Sequence, residues 1–161
     1  MRASLLFPVA GALLVLLAAG CGHSKSGSGS TSGEQSAFNL SSHLSNAQTV
    51  PKPKTAKRGT GSFSGSISIS GQSGTINWKL TTKGLSGKAT SAQIFLGVPR
   101  KVGIAAVDLC APCAANAHGT LGANTALLDA LVSRPIYVGV RTKKNPRGEI
   151  RGRVIVKPNK S

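Results

Sequence analysis

From Gly59 onward the chain alternates apolar residues with serine and threonine. In GSFSGSISISG the residues Phe63, Gly65, Ile67 and Ile69 fall on one side and serines on the other. That is the period-two signature of a half-buried strand. GQSG at 71–74 reads as a turn, and TINWKLTTKGL returns with Ile76, Trp78 and Leu80 on one face. The pair predicts a β-hairpin. ATSAQIFLG (89–97) predicts a further strand with Ala92, Ile94 and Leu96 inward, and VGIAAVDL (102–109) another. Phe38 and Leu40 alternate and suit a first strand, while PIYVGV and EIRGRVIV supply the last two. TALLDALVS (125–133) carries Leu127, Leu128 and Leu131 at helical spacing and is the one helical candidate. Short strands, frequent turn signals and one short helix near 125–132 predict an all-β fold. The expected form is an immunoglobulin-like or Greek-key β-sandwich or barrel. Aromatics are sparse, so its core must be mostly aliphatic.

The closing hairpin can be given a register. Ile136, Val138 and Val140 share a face, as do Ile150, Gly152, Val154 and Val156. Matching these faces pairs Val140 with Gly152, Val138 with Val154 and Thr142 with Ile150. Lys143 then stands opposite Glu149, and Arg141 opposite Arg151. Like charges directly opposite are destabilising, so Glu149 is expected to hold Arg141, Arg151 and Lys143 on one polar face. Lys144-Asn145-Pro146-Arg147-Gly148 forms the loop, with Pro and Gly as turn residues.

The beginning of the chain has a different texture. Residues 1–21, MRASLLFPVAGALLVLLAAGC, place one Arg before an apolar run from Leu5 to Ala19 that ends in small residues. This is the layout of a secretory signal peptide (1–20), and the run is shorter than the roughly 20 residues of a membrane-spanning helix. Leu17-Ala18-Ala19-Gly20-Cys21 resembles the bacterial lipobox, although Ala18 stands where Leu is usual. The resemblance implies cleavage before Cys21, lipidation of its sulfur and attachment to the extracytoplasmic face of the cell membrane. The alternatives are plain secretion and a retained anchor. Residues 21–36 then form the lipidated end and a flexible Gly/Ser linker. The domain is expected over 37–156 and a basic tail over 157–161.

Charge narrows the partners. The chain has 161 residues, with 20 Lys+Arg against 4 Asp+Glu and a formal charge of +16. Such a balance suits an anionic partner. Export removes nucleic acid from the expected partners and leaves anionic lipid or wall polymer, while no protein partner is specified. A lipid anchor with basic side chains nearby fits two-signal membrane attachment. Arg141, Lys143, Lys144, Arg147 and Arg153 are the candidate anionic-ligand patch, against the plainer reading of a solvated basic edge strand. Lys52, Lys54, Lys57 and Arg58 form a second cluster, read as a solvated arm.

Catalytic chemistry is sparse. Paired-carboxylate acid/base work needs two acids at one site, but Asp108, Asp129 and Glu149 fall in separate segments. A Ser-His-Asp arrangement needs a His, and the domain offers His118, with His23 and His43 in the linker region. No enzyme activity is expected and no cofactor is implied. Cys110-Ala111-Pro112-Cys113 is a C-x-x-C with His118 five residues on. A short disulfide in an oxidising compartment is favoured. Free thiols, a metal site or a redox pair using Cys110, Cys113 and His118 are the alternatives.

YVGVRTKKNPRGEIRG (137–152) resembles the signature at the end of the CHRD (chordin) domain. Tyr137, Val138, Val140, Thr142, Asn145, Pro146, Gly148, Glu149, Ile150, Arg151 and Gly152 match it. Upstream, Leu80, Gly84, Leu85, Ala89, Ala92, Ile94 and Gly97 fall at family positions, so the likeness covers roughly 37–156. It implies a sandwich or barrel, frequent export and no established catalytic activity. The family usually has Ala-His-Ile-His where this chain has Ala92-Gln93-Ile94-Phe95, and His where it has Arg141. Strand alternation puts Gln93, Phe95 and Arg141 on the face opposite the aliphatic sets. Gln, Phe and Arg cannot replace imidazoles as copper or zinc ligands, so no metal is expected there.

Overall fold

The structure, a computed structural model, describes residues 36–53, 58–98 and 100–159. The signal segment, Cys21 and the linker through residue 35 lie outside the described residues, as do Lys54 and Lys57. Nine strands and one helix are described: β1 Ser36–Ser45, β2 Thr60–Ser70, β3 Ser73–Lys83, β4 Ala89–Leu96, β5 Ile104–Cys110, β6 Asn116–Asn124, α1 Thr125–Ser133, β7 Ile136–Thr142, β8 Ile150–Arg153 and β9 Ile155–Pro158. The all-β expectation holds. β9 continues through Lys157 and Pro158, two residues into the segment read from the sequence as a tail.

All pairings are antiparallel, in the order β5-β4-β7-β8-β1-β2-β3-β6, with β9 also on β1. The sheet is nearly closed. The loop after β5 straps its open end, where Cys113 donates to the Ala89 carbonyl and Thr82 to that of Ala115. The last segment changes partner midway. β8 pairs with β7, β9 pairs with β1, and between them the Val154 amide bonds the Ile136 carbonyl. β1 crosses so close to β8 that a Cβ on Gly152 would sit 2.3 Å from the His43 carbonyl oxygen. Only glycine allows that approach.

The predicted β2/β3 hairpin forms with Phe63, Ile67, Ile76, Trp78 and Leu80 buried. Leu40, Leu44, Ile94, Val138, Val140 and Ile150 complete a largely aliphatic core. The helix occupies the predicted span. Asn124 Oδ1 accepts from the Leu127 amide as its N-cap, satisfying one of the helix's unbonded amides. Leu128 and Leu131 face inward.

Three expectations need correction. β6 was not expected: of its alternating Ala117, Gly119, Leu121 and Ala123 only Leu121 has bulk, and the strand is held by pairing with β3 from Ser73 to Thr81. His43 belongs to β1, not to a linker. The strand expected over 102–109 begins at Ile104, which is 76 % exposed, and Val102 lies in a loop at 75 %.

Candidate functional site

The closing hairpin is shifted by two residues from the predicted register. Val140 pairs with Ile150, Val138 with Gly152 and Gly139 with Arg151. A two-residue slip keeps every side chain on its own face, so apolar matching alone cannot fix the choice. The loop decides it. Thr142 and Asn145 exchange backbone hydrogen bonds, Gly148 donates to the Asn145 carbonyl, and Glu149 donates to that of Val140.

The shift reassigns Glu149. It is not the counter-charge of Arg141, Arg151 and Lys143 on a polar face, because it is fully buried. Its carboxylate accepts from the Ser86 amide, from Ser86 Oγ at 2.6 Å, from Thr142 Oγ1 and from Asn145 Nδ2 at 3.1 Å. Every one of these donors is neutral. Burial pushes the carboxyl pKa up, but the bonds from Ser86, Thr142 and Asn145 together outweigh it and leave the pKa below its ordinary value. Ser86 was missed in the sequence, since nothing local marks a serine 63 residues away as this acid's partner.

Arg151 does not lie on an exposed face either. Its guanidinium sits 3.4 Å above the Tyr137 ring centroid, and it is only 6 % exposed. It donates to the carbonyls of Lys101 (2.7 Å) and Val98 (3.2 Å). Burial pushes its pKa down, with the nearby Tyr137 acting in the opposite direction. The Tyr137 hydroxyl accepts from the Gly103 amide at 2.9 Å. A Cβ at Gly103 would lie 2.3 Å from the Leu96 carbonyl oxygen and 2.9 Å from the Tyr137 ring. Val98, Lys101 and Gly103 are therefore tied to β7 and β8, and Val98, Arg100, Lys101 and Val102 are exposed there.

The outer face continues from Tyr137 as a stack. Phe95 lies parallel to Tyr137, 4.9 Å between centroids and 6° between planes. Gly139 gives the Phe95 ring room, and the Arg141 guanidinium covers that ring at 5.6 Å. Gln93 Nε2 bonds Asp108. Gln93, Phe95 and Arg141 thus share the outer face as expected, held by a side-chain hydrogen bond, a ring stack and a cation–π contact. Among the described residues no three His, Cys, Asp or Glu side chains come together to hold a metal.

The candidate patch divides. Lys143, Lys144 and Arg147 are exposed and, with Lys52, line a groove of ≈ 470 Å³ along the closing loop. Arg141 and Arg147 line an adjoining cleft of ≈ 100 Å³ beneath Val102. Arg153 lies apart, beside Gln48 and Arg100 on the other flank of the pinned loop. Loop 97–103 carried no functional signal beyond Pro99-Arg100-Lys101, a break in an apolar run.

Cys110 and Cys113 are joined as a disulfide, so their sulfurs are not thiolate ligands. His118 is exposed on β6 opposite Lys79. The motif residues Tyr137, Asn145, Pro146, Gly148, Glu149, Arg151 and Gly152 fall in one hairpin. Five of them have the packing roles given above: Tyr137 and Arg151 hold the loop, Asn145 and Glu149 the turn, and Gly152 allows β1 to cross β8. No curated protein and no solved structure matches this chain. The family model of the CHRD domain matches residues 40–154, so the chain belongs to the CHRD-domain family.

Proposed function

We propose that this protein is an exported, lipid-anchored CHRD-domain module of the bacterial cell envelope, binding or structural in role. Its basic surface contacts anionic lipid or wall polymer. The observation that carries this reading is the groove of Lys52, Lys143, Lys144 and Arg147, which no Asp or Glu among the described residues lines. In a chain of net charge +16, such a groove attracts polyanions through screened electrostatics. The family is of a non-catalytic, binding type, and the three carboxylates of the domain stand apart in the fold. Asp108 is on β5, Asp129 on α1 and Glu149 inside the closing hairpin.

The signal-like start and Cys21 support attachment through an acyl chain, which together with the basic surface gives two membrane signals. Two measurements test the reading. Cells expressing the wild-type chain should hold it in the membrane fraction, and Cys21→Ser should release it. Purified protein should sediment with anionic vesicles or wall polymer at low salt and less at high salt. A chain that stays soluble with Cys21 intact, or binding that is unchanged by salt, would overturn it.

A further inference from the structure

The cleft between loop 97–103 and the closing loop has features that an evenly solvated basic surface does not explain. Its ≈ 100 Å³ admits one small group, well below the 300 Å³ and more of drug-sized sites. Arg141, Arg147, Thr49, Phe95 and Val102 are among its walls, and no Asp or Glu among the described residues lines it. The Arg141 guanidinium lies over the Phe95 ring, 5.6 Å from its centroid, and its planar fork of N–H donors is the shape that suits phosphate. Val102, which lines the cleft, is 75 % exposed; Ile104, next to the lining residue Gly103 in the chain, is 76 % exposed and Val98 44 %. Arg100 and Lys101 lie between them in sequence, both exposed. The fold fixes this segment in place through Arg151, Tyr137 and Gly103.

We infer that this cleft receives the phosphate of an anionic lipid headgroup between Arg141 and Arg147, while Val102 and Ile104 enter the apolar boundary of the bilayer. Bases beside exposed aliphatics are what an interfacial segment requires. A soluble polyanion would use the arginines but give the aliphatics no role. The inference deepens the envelope reading and rests on it. Reach permits it: 14 residues separate Cys21 from Ser36, at most about 50 Å of chain. β1, ten residues long, spans about 33 Å, and its far end, Ser45, pairs with Arg151 beside the cleft. An acylated Cys21 and the cleft can therefore meet one membrane.

The test uses residues 22–161, the chain that follows Cys21, so that neither an acyl chain nor the apolar run Leu5–Ala19 contributes. It is sedimented with phosphatidylcholine vesicles that contain or lack phosphatidylglycerol. Arg141→Gln and Arg147→Gln should each lower partition to the anionic vesicles at least about fivefold, the worth of one basic group at such a surface. Lys79→Gln, a charge-matched change on β3 of the other half of the sheet, should change it less than about twofold. Arg141→Lys should fall between, keeping the charge but losing the planar fork. Val102→Ser with Ile104→Ser should lower partition without altering the chemical-shift response to inorganic phosphate. Each variant is first shown to keep the wild-type fluorescence and melting temperature of the single, buried Trp78.

Equal losses for Lys79→Gln and Arg141→Gln would overturn the cleft and leave the basic-surface reading standing. Unchanged vesicle binding by the Val102/Ile104 pair, with inorganic phosphate still occupying the cleft, would overturn the lipid source. Wild type that binds neither anionic vesicles nor wall polymer would overturn both the cleft and the reading beneath it.

Discussion

Removing the Glu149 carboxylate should destabilise the domain far more than deleting a surface acid. Glu149→Ala takes the acceptor away from four donors. Three of them can partly recover. Ser86 Oγ and Thr142 Oγ1 already lie 3.4 Å apart, and Asn145 Nδ2 lies 3.1 Å from Ser86 Oγ. The Ser86 amide loses its acceptor, and an orphaned buried donor costs about 1–3 kcal/mol. Losing bonds to a charged group costs about 1.5–3 kcal/mol more. The expected loss is about 3–4 kcal/mol. In a domain of this size that lowers the melting temperature by roughly 15 °C and the urea midpoint by roughly 2 M. Glu149→Gln keeps an acceptor for Ser86 but opposes its own amide to Asn145 Nδ2, and should lose about half as much. Trp78 fluorescence in urea at about 50 mM and 1 M salt is the assay. A surface ion pair would weaken with salt, whereas a buried network of neutral donors gives the same loss at both. A Glu149→Ala loss under about 1 kcal/mol, or one that shrinks at high salt, would refute the buried network.

The same carboxylate sets an acid limit. Its folded pKa lies below the unfolded value, roughly 4.3. Its contribution is therefore complete above that pH and lost as pH falls through the folded pKa. Melting temperature should be flat from neutrality to about pH 5 and fall below about 4, and Glu149→Gln should lack this part of the fall. Reducing Cys110–Cys113 opens a loop of sequence separation 3, worth about 2 kcal/mol by chain entropy. The reduced domain should stay folded at 25 °C with a lower melting temperature, read by calorimetry with and without reductant. Tyr137→Phe keeps the stack on Phe95 but removes the acceptor of the Gly103 amide. It should cost about 1 kcal/mol and speed hydrogen exchange at Gly103 while sparing the amides of β3.

Wherever alternation ran through large aliphatics, the fold was legible in the sequence. Phe63-x-x-x-Ile67 and Ile76-x-Trp78-x-Leu80 declare their strands because period two and bulk coincide. β6 is just as periodic in burial, but its Gly and Ala positions carry no bulk. Glu149 was read as exposed because acids usually are, and its burial depends on Ser86, brought near only by the fold. The register needed the loop's backbone hydrogen bonds, which no side-chain pattern records. The observed pairing also resolves the expected Arg141–Arg151 clash: Gly139 faces Arg151, and each guanidinium covers a ring of its own.

The strand that changes partner at Val154 has a consequence for biosynthesis. Until residues 150–158 are in place, β5-β4-β7 and β1-β2-β3-β6 are two separate ribbons, each with a bare inner edge at β7 or β1. Residues 150–158 supply both partners, and Asn39 Nδ2 donates to Asn159 Oδ1 across 120 residues. Closure is a late, long-range event of the slow kind. A chain not yet made as far as Ile150 has two open edges, exposed to strand-to-strand association. A chain that ends early, before Ile150, can never bury them.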